Sequence, residues 1–318
     1  MAVHTVLSST DIKKILNNYQ IGDFKDYSGI KEGIENTNYL VNTTKNKFIL
    51  TIYEERTRDD LIPFYMDVMY NSCTNGIKCP TPIKDRNGQL INIIKNKSYG
   101  FFKFINGKSK KKWSKNNCHE VGKELAKFHI VNKDIITLNK NNFSLDFWNI
   151  SFNKYKSLMN KELPGSFEIV NEEIKFLNKN WPHNLPEGII HADLFPDNVL
   201  FSRSHKVSGM IDFYFACKDF FSYDIAILIN AWCFPDNNFN KIFMNNILKG
   251  YESIRKLQII EKKKLNVLLR GSSLRFLLTR IIDIQKKTKN KLLEIKNPED
   301  FLKRLIFHRT ICNENYGI

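Results

Sequence analysis

The sequence predicts an α+β fold in two lobes, a small one built on an antiparallel sheet and a larger, mainly helical one. Three observations carry this. Strand-like apolar runs crowd into the first third of the 318 residues. From Gly107 onward the apolar residues recur at helical spacing instead. The late strand-like runs, Gly188-Ile189-Ile190, Asn198 to Phe201 and Val207 to Ile211, all flank one stretch of unusual polar residues. The Asn106-Gly107 turn marks the expected boundary, giving lobes of residues 1–106 and 107–318.

Each element has its own signal. Ser9-Thr10-Asp11 reads as the cap of a helix whose face carries Ile12, Ile15, Leu16 and Tyr19. Tyr27 to Val41 holds two apolar-flanked stretches around glycines, which predicts a hairpin. Lys47 to Tyr53 is a strand, Pro63 to Asn75 a helix, and Asn92–Ile94 and Tyr99–Ile105 two further strands. In the second half Val121, Leu125, Phe128 and His129 share one face of a helix, and Val170, Ile174, Leu177 and Trp181 repeat the period. Further helices are expected over 222–233, 240–256 and 260–287, with no internal repeat.

Composition narrows the class. Hydrophobic residues make up 42% and aromatic ones 13%, enough for a globular core. No apolar run approaches ~18 residues, so no membrane span is expected. The N-terminus lacks a basic segment followed by an apolar one, so no secretory leader is expected. Six cysteines lie at 73, 79, 118, 217, 233 and 312 without any C-x-x-C pair. That spacing favours reduced thiols and a cytoplasmic setting over disulfides or zinc. The net charge of +16 is spread along the chain among many Asn and Ile residues. It therefore implies neither a specific nucleic-acid partner nor a membrane surface, and the dense Lys108–Trp113 stretch is expected to be a solvated loop. The oligomeric state stays open.

The chemistry lies in His191-Ala192-Asp193-Leu194-Phe195-Pro196-Asp197-Asn198 and in Ile211-Asp212-Phe213. The order H-x-D-x-x-x-x-N, strand, turn, strand, Asp is that of a phosphotransferase catalytic loop followed by its metal-binding Asp. Phosphoryl transfer from ATP must neutralise phosphate charge and hold the acceptor oxygen in line. Mg²⁺ takes hard oxygen ligands, which Asn198 and Asp212 supply. Asp193 is placed to accept the acceptor's proton. A carboxylate of pKa ~3.9 is a weak base for an alcohol, so orientation is as much its task as deprotonation. His191 reads as a packed organiser of the loop.

The two expected lobes with this constellation resemble the protein-kinase-like superfamily of aminoglycoside phosphotransferases and choline kinases. Within it the chain is most similar to bacterial homoserine kinases of this fold. The likeness runs through Tyr27–Asn36, Phe48–Glu54, Cys79–Pro82, Tyr223–Ala226, Asn230–Phe234 and Leu274–Arg280. It implies ATP and Mg²⁺ as cofactors, with phosphorylation of the L-homoserine hydroxyl in threonine biosynthesis. It gives Asp193 as base and Asn198 and Asp212 as metal ligands. It places ATP between the lobes, under a hairpin with Gly29, Gly33, Asn36, Thr37 and Asn38, and its adenine near Phe104 and Ile105.

One position departs from the general kinase pattern. Thr51 stands where the third strand often carries a phosphate-binding Lys or Arg. The homoserine kinases look similar there, and Lys31 and Lys47 are candidate replacements. A zwitterionic acceptor needs paired partners. Arg275 and Arg280, set in an otherwise apolar helix, fit a carboxylate, with a structural ion pair as the alternative. Tyr214 and Asp219 follow Asp212 closely and are expected in the same site, while Asp224 fits an acceptor that steadies the catalytic loop. Other readings are a kinase for another small alcohol (choline, an aminosugar or methylthioribose) and a non-catalytic basic binding protein.

Overall fold

A computed structural model describes residues 3–30, 36–54, 57–287, 296–311 and 316, so Lys31 and Gly33 lie outside the described residues. The chain divides into two units. The first holds residues 1–108, 200–204 and 208–214, and the second holds 109–199, 205–207 and 215–318.

The first unit begins with helix α1 (Ser9–Leu16). Its cap is Ser8, one residue before the expected signal, in a reciprocal box with Asp11. Strands β1 (Phe24–Gly29), β2 (Thr37–Thr43) and β3 (Lys47–Ile52) follow. Helix α2 (Ile62–Thr74) comes next, then β4 (Pro82–Ile83), β5 (Asn92–Ile94) and β6 (Lys97–Lys103). The sheet is antiparallel throughout, in the order β1-β2-β3-β6-β4, with β5 also on β6. Alternation explains its faces. Tyr39, Val41, Phe48, Leu50, Ile52, Tyr99 and Phe101 pack on Ile12, Ile15 and Leu16 of α1. Asn38, Thr51 and Gly100 form one row of the opposite face. Strand β4 was not expected from sequence. It is two residues long, begins with Pro82, and carries no period to read.

The second unit contains α3 (Lys115–Asn132), α4 (Leu145–Glu162), α5 (Ser166–Asn180) and strand β7 (Glu187–Ile190). Strands β8 (Val199–Phe201) and β9 (Val207–Met210) form an antiparallel ribbon, most of which counts with the first unit. There β9 lies so close to Ile105 that a Cβ on Gly209 would sit 2.8 Å from its Cδ1, so a larger residue would require the Ile105 side chain to shift. Strand β10 (Cys217–Phe220) pairs with β7, and α6 (Phe221–Trp232), α7 (Lys241–Glu252), α8 (Ile259–Lys287) and α9 (Glu299–Thr310) complete the unit. Helices α4 and α9 and strand β10 were not expected. In α9 two of the four buried positions are Arg304 and His308, which hides its apolar stripe.

Every residue of α6 is buried. Its polar residues must therefore find partners inside the protein. The Asn230 side chain donates to the Leu269 carbonyl at 2.9 Å and to Ser272 at 2.5 Å. It accepts from His308 at 2.8 Å, and its backbone carbonyl accepts from Arg304 at 2.7 Å. Burial lowers the His308 pKa to about 3, so the ring is a neutral donor here. Asn230→Ala should destabilise the protein by roughly 1–3 kcal/mol for each buried partner left unmade. Thermal melting measures this.

Candidate active site

Strand β7 delivers the chain into the loop beginning at His191, and β10 pins that strand through Cys217↔Ile190 and Lys218↔Ile189. The loop then hangs on one carboxylate. Asp224, wholly buried in the first turn of α6, accepts the His191 backbone N–H at 2.7 Å and the Ala192 N–H at 2.9 Å. His129 of α3 supplies its third donor, with Nε2 3.0 Å from Asp224 Oδ2. The other ring nitrogen lies 2.7 Å from the Tyr251 hydroxyl. Burial pushes the Asp224 carboxyl up, but bonds from His129 and the His191 N–H outweigh it and hold the pKa below its ordinary value. Burial lowers the His129 pKa despite that carboxylate. The consistent state is an ionised Asp224 facing a neutral His129 with its proton on Nε2, and Tyr251 donating to Nδ1.

Held by its N–H bond to Asp224, Ala192 lies in the left-handed region, with φ +64°. Asp212 is left-handed too, at φ +66°. Such backbone is costly for residues other than glycine and persists where surrounding structure over-determines it. Of the seven described non-glycine residues with positive φ, these two fall in the stretches singled out by motif.

Past the turn, the Asp193 N–H donates to His191 Nδ1 at 3.3 Å. Asn198 Nδ2 donates to the Asp193 carbonyl at 2.8 Å and to its carboxylate Oδ2 at 3.0 Å. That amide orientation turns the Asn198 oxygen away from Asp193 and leaves it as an acceptor, the form in which it can serve a cation. Asp193 is half-buried while the His191 ring is wholly buried, 6.4 Å from the Phe128 ring. Aromatic side chains hold the rest of the loop. Trp232 Nε1 donates to the Leu194 carbonyl at 2.9 Å, and Phe195 lies edge-on to Phe276, 4.8 Å between centroids.

A second polar cluster lies in the same unit. Asp219 of β10 accepts from Asn141 at 2.7 Å. Burial raises its pKa to about 6, partly offset by Asn141, the Phe220 N–H and the charge of Arg275. Arg275 is 2% exposed, over the rings of Phe276 at 4.7 Å and Phe143 at 4.9 Å. Its Nε and Nη1 make no hydrogen bond among the described residues. Arg280 differs. It reaches the Asn297 carbonyl and pairs with Asp300 at 3.2 Å.

In the first unit the expected residues have partners of their own. Gly29 pairs with Tyr39. Asn36 accepts from the Glu54 N–H at 3.1 Å and from Thr57 at 2.9 Å. Thr37 donates to Glu54 at 2.6 Å and accepts from the His4 and Thr5 N–H groups. Glu54 also meets Lys97. These side chains are engaged within the fold. Thr51 donates to Asn38 at 2.7 Å. Phe104 and Ile105 lie beyond the end of β6, not within the strand, and the Phe104 N–H donates to the Lys47 carbonyl at 3.2 Å. Tyr214 packs against Tyr53 and Tyr65, ring centroids 5.5 and 5.8 Å apart.

Sequence reasoning missed His129, Tyr251 and Asn141. A histidine on the apolar face of α3 was the one available signal.

The fold is that of small-molecule kinases. An amicoumacin kinase solved in complex with AMP-PNP, Ca²⁺ and Ami superposes with a TM-score of 0.72 at 15% identity, covering 97% of this chain and 95% of that one. A choline kinase from Cryptosporidium parvum gives 0.68 at 17% identity, covering 97% and 96%. Residues 26–257 match the phosphotransferase enzyme family, and the chain belongs to it. It is similar over its whole length to the homoserine kinase of Nitrobacter hamburgensis, 39% identical with 100% of this chain and 98% of the relative covered. The homoserine kinase of Bartonella tribocorum is 41% identical, with 98% of each covered. The chain is thus a phosphotransferase. Among the described residues no helix is long and apolar enough to cross a membrane.

Proposed function

We propose that the protein transfers the γ-phosphoryl group of ATP to the side-chain hydroxyl of L-homoserine, yielding O-phospho-L-homoserine for threonine biosynthesis in the cytoplasm. The observation that carries this is the full-length similarity to homoserine kinases. Asp193 accepts a hydrogen bond from the acceptor hydroxyl, holds its oxygen toward the γ-phosphorus and takes the proton late. Asn198 restrains that carboxylate through Nδ2. The Asn198 amide oxygen and the Asp212 carboxylate are the hard ligands that would hold Mg²⁺, whose charge balances the phosphates. His191 keeps the loop in shape. Gly29, Asn36, Thr37, Asn38, Thr51, Phe104 and Ile105 are the proposed nucleotide contacts. Asp212→Ala should weaken Mg²⁺-dependent nucleotide binding, and an unchanged metal dependence would count against that ligand.

The acceptor's charged end is assigned to Arg275 and Asp219, with Tyr214 and Arg280 as the remaining contacts. The buried Arg275 donors suit the carboxylate, and Asp219 suits the ammonium. Asp219 holds its proton below about pH 6. The apparent KM for L-homoserine should therefore rise as pH falls through about 6, and Asp219→Asn should raise KM and flatten that profile. The sign for stability is opposite. The folded protein holds this proton more tightly than the unfolded chain, so Asp219 favours folding at acid pH, and that benefit fades as pH rises through about 6.

The deciding experiment incubates purified protein with ATP, Mg²⁺ and a panel of L-homoserine, choline, an aminosugar and methylthioribose. ADP release is expected with L-homoserine. Turnover only with another alcohol would replace the substrate, and none at all would sink the reading.

A further inference from the structure

Cys73 and Cys79 form a thiol pair that the phosphoryl-transfer chemistry does not use. Cys73 lies in the last turn of α2 and Cys79 five residues beyond the helix end. The helix is stopped sharply. Gly76 takes φ +82°, its N–H bonds to the Cys73 carbonyl, and the Ile77 N–H bonds to the Ser72 carbonyl. This reversal brings the two sulfurs to 2.9 Å. Thr81 donates its hydroxyl to Cys73 Sγ at 3.4 Å. Cys73 is half-buried and Cys79 buried, so an outside reagent reaches Cys73 first. The bond from Cys79 and that from Thr81 hold the Cys73 thiol below the ordinary thiol range, against the effect of burial. The remaining described cysteines, Cys118, Cys217 and Cys233, are buried, and burial pushes all three thiols up.

The pair sits on a structural junction. The Lys78 carbonyl, one residue before Cys79, accepts the Met210 N–H of β9 at 2.9 Å. Met210 is two residues before Asp212. On the other side the Thr81 carbonyl accepts the Lys103 N–H at 3.0 Å, where β6 leads to Phe104 and Ile105. A disulfide places its sulfurs about 2.05 Å apart with a fixed dihedral. Closing it draws Cys79 toward Cys73, one residue away from the carbonyl that anchors β9.

We propose that Cys73 and Cys79 are a peroxide-oxidisable dithiol whose conversion to a disulfide shifts the Lys78–Met210 anchor and weakens metal-nucleotide binding. The Cys73 thiolate attacks one peroxide oxygen, the O–O bond breaks, and hydroxide leaves and is protonated to water. The Cys79 sulfur then displaces the hydroxyl of the sulfenic acid, forming the S–S bond and releasing a second water with the Cys79 proton. Peroxide is reduced and two thiols are oxidised. The effect on nucleotide binding rests on the proposed kinase reading, whereas the formation of the disulfide does not.

The test treats the full chain with hydrogen peroxide, blocks free thiols by alkylation and maps the peptides by mass. The expected product is a Cys73–Cys79 cross-link that a dithiol reductant reverses. Mg·ATP affinity by calorimetry should fall about fivefold or more on oxidation. It should recover on reduction and stay unchanged after peroxide in Cys73→Ser. Two alkylated thiols after treatment, or irreversible over-oxidation of Cys73 alone, would overturn the dithiol. A clean cross-link with unaltered Mg·ATP affinity would overturn the coupling. Absence of ATP binding by the reduced protein would instead count against the kinase reading and leave the mass result standing.

Discussion

Asp193→Asn should lower kcat with L-homoserine about 10²- to 10⁴-fold while Mg·ATP affinity stays close to that of the native protein. The substitution keeps the side-chain shape and removes the charge that orients and finally deprotonates the hydroxyl. The loop should survive it, because the bond from Asn198 Nδ2 to the residue 193 carbonyl does not involve the altered group. A matching KM for both substrates would place the loss in the transition state. Steady-state kinetics and calorimetry on the same preparation decide this. Activity within an order of magnitude of the native protein would remove Asp193 from the role given to it.

Asp224→Ala should be the most damaging change to stability, at about 3–5 kcal/mol, and should abolish turnover although the residue touches no reactant. It leaves the His191 and Ala192 N–H groups and His129 Nε2 unpaired in a fully buried place. Chemical denaturation gives the energy. Asp224→Asn separates shape from charge, since it keeps one acceptor but points an amide N–H toward a donor. Because the Asp224 pKa is depressed in the folded state, its contribution is present above the ordinary value of 3.8 and is lost as pH falls. The native protein should therefore lose stability in acid more steeply than the alanine variant. Equal slopes would show that the carboxylate is not held as described.

The catalytic loop was legible because its residues are local. Asp193 and Asn198 lie five apart, and the strands beside them have their own apolar runs. The sheet of the first unit was legible for a similar reason, since alternation in Thr37–Ile52 marks both faces. Asp224 was legible as an acceptor that steadies the loop, but its partner His129 was not. His129 and Asp224 are 95 positions apart, and no period links them. Arg275 and Arg280 show the limit most clearly. Both are arginines in the otherwise apolar stretch Leu274–Ile282, so sequence gives them one signature. Asp300 on α9 answers Arg280, while Arg275 faces aromatic rings. Helix α9 went unseen because its own buried face is half polar.

The left-handed turn at Ala192 has a consequence for the thermodynamics of binding. Conformational freedom surrendered when the chain folds is not surrendered again when a ligand arrives. A loop already held by a buried carboxylate contributes little ordering penalty, so substrate association should draw its entropy cost from elsewhere. In hydrogen exchange the Ala192 amide should be among the last to exchange, opening with the whole unit and hardly slowed further by ligand.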